Sequence, residues 1–268
     1  GVLVMRCIDP HLHTHMMNPF DLWHLIEAGL EGCVIPTPHM LEGMQPGETV
    51  LRLWRRLLEF EVNQTKSYGA EAYVTLSVPF YGLTLEGVEQ CLAELPKYLE
   101  NERVVGMGEI GLDAGIEDEL KLFKAQLRIA KEHNLPVIVH NPVRFTPGRL
   151  DVTKKIVDVI KGEKFPIDRV VLDHAAEDTV DYCLSTGAMV GMSVCLDKMP
   201  PETAAGIIQK NLDKADRLLV NSELGYGGEG YFSVPRVIVA MRMLGLKREI
   251  IEKITWDNPK KFFNLPID

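Results

Sequence analysis

The sequence is short of several things, and each shortage narrows what the chain can be. No apolar run approaches the roughly 18 residues of a membrane span, so a membrane is not an expected partner. The opening "GVLVM" is too brief for the apolar core of a secretion signal. No cysteines stand at C-x-x-C spacing: Cys7, Cys33, Cys91, Cys183 and Cys195 are scattered, and Cys7, Cys33 and Cys195 lie inside apolar strand-like runs. That pattern reads as buried free thiols in a reducing compartment rather than disulfides or a zinc cage. The expected location is cytoplasmic. Basic charge is in deficit as well, with 29 Lys and Arg against 38 Asp and Glu for a formal charge of −9. Such a balance disfavours broad neutralisation of duplex DNA, which calls for clustered cations, although bound metal ions attract phosphate locally. No G-x-G-x-x-G follows the first apolar run, and no linker or low-complexity tract divides the chain. One domain over residues 1–268 is expected, and whether residues 1–4 are native is left open.

What is present is a regular alternation of apolar strands and amphipathic helices. Strands are expected at Leu3–Asp9, Gly32–Pro36, Ala72–Val78, Val104–Glu109, Pro136–His140, Val170–His174, Ala188–Val194 and Leu218–Ser222. Helices are expected at Pro19–Ala28, Glu48–Ser67, Leu85–Glu100, Glu117–His133, Asp151–Lys161, Ala176–Thr186, Pro201–Lys210, Ser233–Leu244 and Lys247–Trp256. Continuous rather than alternating apolar strands indicate a parallel sheet covered on both faces. The expected class is α/β, a single-domain (β/α)8 TIM barrel; an open doubly wound sheet is the alternative.

Metal-competent side chains gather where these strands end. In "CIDPHLHTH", Asp9, His11 and His13 share a face if the chain stays extended. Pro10 cannot donate within a central ladder, so pairing should stop near Asp9 and leave both histidines at the carboxyl end. "VVGMGEIGLD" ends its apolar run at Glu109, "LPVIVHNP" at His140 and "RVVLDHAAED" at His174. Four separate strands thus present a metal ligand toward the face that carries barrel active sites. Imidazole with carboxylate suits zinc, iron, nickel or manganese, whereas magnesium and calcium prefer more oxygen. Several ligands around a carboxylate able to bridge point to two divalent metal ions, about 3.5–4 Å apart. Zinc is the expected ion, with manganese, nickel, iron or magnesium as alternatives.

Taken together, "DPHLHTH", "GMGEIGLD", "VIVH" and "LDHA" resemble the TatD family of metal-dependent hydrolases, within the amidohydrolase-like barrels. The likeness runs from about Met5 to "NPKKFF", and "GEIGLD" after a strand is its sharpest element. The resemblance implies that His11 and His13 bind one metal, His140 and His174 the other, and Glu109 bridges them. The lack of a lysine at the end of the fourth strand agrees with that, since relatives bridged by a carboxylated lysine would need one there. Asp9 is expected behind the ligands, orienting a histidine through its free ring nitrogen, and Asp113 is placed there too.

The departure lies at the eighth strand. The family usually ends it with Glu-Thr-Asp, the aspartate binding a metal and accepting a proton from the attacking water. Here Asn221, Ser222 and Glu223 fall in those places, in "LLVNSELGYG". Glu223 is thus the expected base and a metal ligand, but its extra methylene moves the oxygens by about 1.5 Å unless the backbone compensates. This ending, with "SVPRVIVAMR" after it, resembles the EboB-like TatD-related hydrolases, and on that likeness the DNase activity of typical members is not carried over.

Around the expected mouth, "GYGGEG" suggests a phosphate-binding loop or a plain turn, with Tyr226, Gly227 and Gly228 as substrate contacts and Tyr231 as a cover. Arg144 is placed to meet an anionic substrate group or to face solvent. His15 and His39 lie near the mouth and read as polar rim residues, with substrate contact as the alternative. Met16, Met17, Met40 and Met44 fall in mouth-side loops, and Trp23, Trp54 and Trp256 read as helix packing against the barrel.

The preferred function is metal-dependent hydrolysis of a phosphoester, a nucleic acid or a small molecule, with nucleic acid not favoured. A cyclic amide, lactone or other carbonyl substrate is the runner-up. A barrel that binds metal and a ligand without turnover is the third reading, motivated by the altered eighth strand. Homo-oligomerisation is left open.

Overall fold

Continuous apolar strands predict a parallel barrel, and the structure, a computed structural model describing residues 5–195, 198–223 and 232–268, contains one. Its strands are β1 (Cys7–Asp9), β2 (Leu30–Pro36), β3 (Glu71–Leu76), β4 (Val104–Gly111), β5 (Val137–His140), β6 (Val170–Leu172), β7 (Met189–Ser193) and β8 (Leu218–Asn221). They pair in sequence order, all parallel. The barrel is nearly closed. Where β8 returns to β1, the Glu223 amide donates to the His11 carbonyl at 2.8 Å and the Ser222 amide to Asp9 Oδ1 at 3.2 Å.

Side-chain alternation explains where the site forms. Ile8, Val34, Tyr73, Ile138, Val171, Met189 and Leu219, one from nearly every strand, make an apolar layer inside the barrel. Trp256, Phe263, Leu265 and Ile267 close it from the C-terminal segment, so "NPKKFF" belongs to the core plug. Two residues further along three of the strands the layer turns polar, Ile138 being followed by His140, Val171 by Asp173 and Leu219 by Asn221, while Met189 is followed by Gly191 and, four residues on, Ser193. The opposite faces of the same strands join the helices in a larger apolar cluster.

Every expected helix is present, with local differences. The long helix expected at Glu48–Ser67 is helical throughout but widens by a π turn at Arg56–Glu61, between Gly47–Arg55 and Val62–Ser67. The one expected from Ala176 begins at Val180, because Thr179 Oγ1 takes the Ala176 amide in a turn at 3.1 Å. Trp54 is fully buried as expected, but Trp23 is 49% exposed on Pro19–Glu27 and does not pack against the barrel. Met40–Gln45 and Tyr81–Leu83 form a small parallel ribbon that the periodicity did not announce, since "MLEGMQ" is largely exposed and lacks an apolar face. All five cysteines are buried and free. Among the described residues no helix is long and apolar enough to cross a membrane.

Candidate metal centre

At the carboxyl ends of the strands the structure brings His11, His13, Glu109, His140, His174 and Glu223 together, each almost fully buried. Glu109, on β4, stands at the middle. Its Oε1 lies 3.5 Å from His11 Nε2 and 3.6 Å from His13 Nε2, while Oε2 lies 3.3 Å from His140 Nδ1 and 3.4 Å from His174 Nε2. One carboxylate therefore faces two histidine pairs, one oxygen to each. Glu223 completes both groups: its carboxylate lies within ligand range of the His11 and His13 donors, and of Glu109 and His174. The longer side chain does reach the site that a shorter aspartate serves in the resembled motif.

The donor atoms fit divalent cations better than they fit one another. His11 Nδ1 sits 2.6 Å from Asp173 Oδ2, and as an N–H donor there it leaves Nε2 with a lone pair. That nitrogen faces His13 Nε2 at 3.1 Å, and His174 Nε2 faces His140 Nδ1 at 3.1 Å. In each pair one nitrogen must carry a hydrogen toward the other, or a cation must lie between them. Glu109 Oε1, though buried, makes no hydrogen bond among the described residues, and neither does His140 Nε2. Buried polar atoms left this way are costly.

Electrostatics point the same way. Burial disfavours the His11 imidazolium, but the charge of Glu109 and the contact with Asp173 outweigh it and hold its pKa well above the usual value. Burial, reinforced by His11, holds His13 well below it. Burial also lowers His174 to about 4 despite the nearby Glu223 charge. Burial would raise Glu223, yet His174 and Lys198 bring it down to about 2. A proton on His11 thus balances Glu109, a task that a divalent ion would take over while releasing that proton.

Backbone geometry around the cluster is unusual. His174 and Glu223 both sit in the left-handed region, with φ of 57° and 49°, which costs a non-glycine residue about 1–2 kcal/mol. The His174 carbonyl is held by the Arg149 guanidinium at 2.6 Å, and His174 Nδ1 by Ser193 Oγ at 2.7 Å.

Several expected neighbours fall differently. Asp9 does not orient a ring: its Oδ1 accepts the His11 and Ser222 amides, at 3.1 and 3.2 Å, so it pins the backbone where β1 meets β8. The ring partner of His11 is Asp173, which also accepts from Asn221 Nδ2 at 2.8 Å. Asp113 is half-exposed, with Oδ1 3.9 Å from His140 Nε2. Arg144 does not face the cluster; it pairs with Glu177, donates to the Lys198 carbonyl at 3.0 Å and stacks on Phe145. His39 is no rim residue: it is buried, stacks on His140 at 4.0 Å, and places Nδ1 3.7 Å from Glu109 Oε1. His15 packs edge-on against His13 at 5.5 Å. Tyr226, Gly227, Gly228 and Tyr231 lie outside the described residues.

Asp173 itself depends on an absent side chain. A Cβ on Gly191 would lie 2.3 Å from Asp173 Oδ1, so only glycine lets β7 pass beneath that carboxylate. Gly191→Ala should therefore displace Asp173 from His11 and weaken metal binding by roughly 10–100-fold, as loss of an outer-shell partner does. Zinc titration against a competing chelator reads this directly; an unchanged affinity would mean that Asp173 does not orient His11.

Comparison with known proteins gives consistent matches. A family model described as TatD-related DNase matches residues 8–264. An uncharacterized metal-dependent hydrolase of Methanocaldococcus jannaschii is 32% identical over 259 residues, covering 96% of this chain and all of that protein. The crystal structure of a TatD-like protein from Archaeoglobus fulgidus superposes with a TM-score of 0.80 at 25% identity, covering 96% of this chain and 100% of the other. The fold is also that of the Escherichia coli phosphotriesterase homology protein, solved with phosphate in its active site, at a TM-score of 0.73 and 15% identity over 96% of this chain and 98% of that one.

Proposed function

This chain belongs to the TatD-related DNase family and is a metal-dependent hydrolase, and from that premise we propose that its buried cluster holds two divalent metal ions and hydrolyses a phosphoester. The observation that carries the two-ion reading is Glu109, whose two oxygens each lie 3.3–3.6 Å from a different histidine pair. His11 and His13 would hold one ion, His140 and His174 the other, with Glu109 between and Glu223 at the edge of both. Zinc is the ion best matched to four imidazoles and carboxylates, with manganese, nickel, iron and magnesium as the alternatives. Bound there, the ions supply Lewis acidity, polarising the substrate oxygen and making water nucleophilic near neutral pH.

The chain's own residues supply the rest. Asp173 and Ser193 fix the rings of His11 and His174. The Glu223 carboxylate, within ligand range of both histidine groups, is the group placed to take the proton that the attacking water loses. The apolar layer beneath the ligands closes the barrel from below, so substrate enters from the carboxyl-end face. The deficit of basic charge, −9 overall, favours a small phosphoester over a duplex. The buried free thiols favour a reducing, cytoplasmic setting.

The test is hydrolysis of bis(p-nitrophenyl) phosphate beside a panel of lactones, before and after chelation. We expect phosphodiester turnover that chelator abolishes and added zinc or manganese restores. Turnover confined to lactones would replace the substrate class while keeping the metal centre.

A further inference from the structure

Among the described residues, Lys198 is the lysine or arginine that pairs with a carboxylate of the metal centre. It lies on the segment that follows β7, its side chain is 13% exposed, and its Nζ donates to Glu223 Oε2. Its backbone is fixed at both ends: the amide donates to the Cys195 carbonyl at 3.1 Å, and the carbonyl accepts from Arg144 at 3.0 Å. Arg144 is held in turn by Glu177. A clamped backbone carrying a four-carbon stem lets one point charge change partners without moving the loop.

An ammonium has three N–H donors. The Glu223 carboxylate satisfies one, in a place nearly closed to bulk water, where unmet donors of a cation are costly and an anionic oxygen meets them best. The same carboxylate also lies within ligand range of His11 and His13. Divalent ions sharing it would weaken its hold on Lys198 and repel the ammonium. An oxyanion seated between the lysine and the ions relieves that repulsion. Barrels bind phosphate on this same face, through the loops after the seventh and eighth strands.

We propose that Lys198 is a substrate-binding residue that donates to a non-bridging phosphoryl oxygen, its pair with Glu223 being the resting position. Arg144, which the sequence offers either as an anion contact or as a solvent-facing arginine, then serves by holding Lys198. The inference rests on the phosphoester reading above. It adds a cation where charge spreads over the non-bridging oxygens in the transition state.

Inorganic phosphate is the probe, titrated calorimetrically into the zinc-loaded full chain, with metal content measured on every preparation. Lys198→Met should weaken phosphate binding by about ten-fold or more, the size of one lost hydrogen bond to a charged group, with zinc content unchanged. Lys198→Arg, which keeps the charge, should retain most of the affinity. If the Met variant fails to fold, Lys198→Gln, similar in length but neutral, takes its place. Phosphate held as tightly by the neutral variant as by the native chain overturns the inference, as does a zinc-loaded native chain that binds no phosphate. A native chain that takes up no zinc overturns the metal reading underneath, a failure visible before any phosphate is added.

Discussion

Glu109→Ala is expected to strip metal from both positions at once and to abolish hydrolysis. Each oxygen of that carboxylate faces its own histidine pair, whereas Glu223 reaches both groups only from their edge. The loss should exceed the roughly 10–100-fold that follows removal of an outer-shell partner, because the proposed centre would lose a direct ligand of both ions. Glu109→Gln separates charge from shape: it keeps the volume but cannot balance cations, and should lose metal almost as completely. Folding is the control. In the metal-free chain the Glu109 charge stabilises the His11 imidazolium, against the cost of burial, so the variant should lose stability most fully below the ordinary histidine pKa, the difference fading only as pH rises well above it. Near-UV circular dichroism at neutral pH will show whether the barrel persists. A folded Glu109→Ala chain holding the native amount of metal would remove Glu109 from the centre.

Glu223 carries the second large effect. Glu223→Ala should lower kcat by about 10²–10⁴-fold, the span associated with a positioned general base. Glu223→Asp is the sharper test. It restores the residue type of the resembled motif, but shortens the side chain by one carbon–carbon bond, about 1.5 Å. The Glu223 backbone is held in the left-handed region, with its amide on the His11 carbonyl, so it has little freedom to follow. Misplacement by about 1 Å costs on the order of 10²-fold. The Asp variant is therefore expected to be slower than native by about that factor, with kcat rather than KM changing. An Asp variant faster than the native enzyme would mean that this chain had given up its base and that Glu223 serves another purpose.

Much of this site is legible in the sequence, for physical reasons that particular residues show. A ligand at the end of an apolar strand must point either into the barrel mouth or into the helix layer, and the two-residue period decides which. His140 follows from Ile138, and the same step from Val171 reaches Asp173, the residue that orients His11. The period therefore marks Asp173 as facing the barrel mouth, although its neighbour His174 carries the more conspicuous metal-ligand chemistry. Gly191, a small residue within an apolar run, likewise signals a close approach that only the three-dimensional neighbour Asp173 explains. Lys198 and His39 carry no such signal. Both stand in loops, where no period operates, and their places depend on distant partners: Arg144 for the one, the stacked ring of His140 for the other. The reassignment of Asp9 has the same origin. Its carboxylate caps amides at the seam between β1 and β8, and the existence of a seam is a property of the closed barrel rather than of any one strand.

The most direct measurement is metal content per chain by elemental mass spectrometry, on native protein purified without chelator or metal-affinity tag. The arrangement of Glu109 between two histidine pairs predicts close to two equivalents of a divalent transition metal. A chain that carries none, and takes up none from added zinc, manganese or nickel, would contradict it.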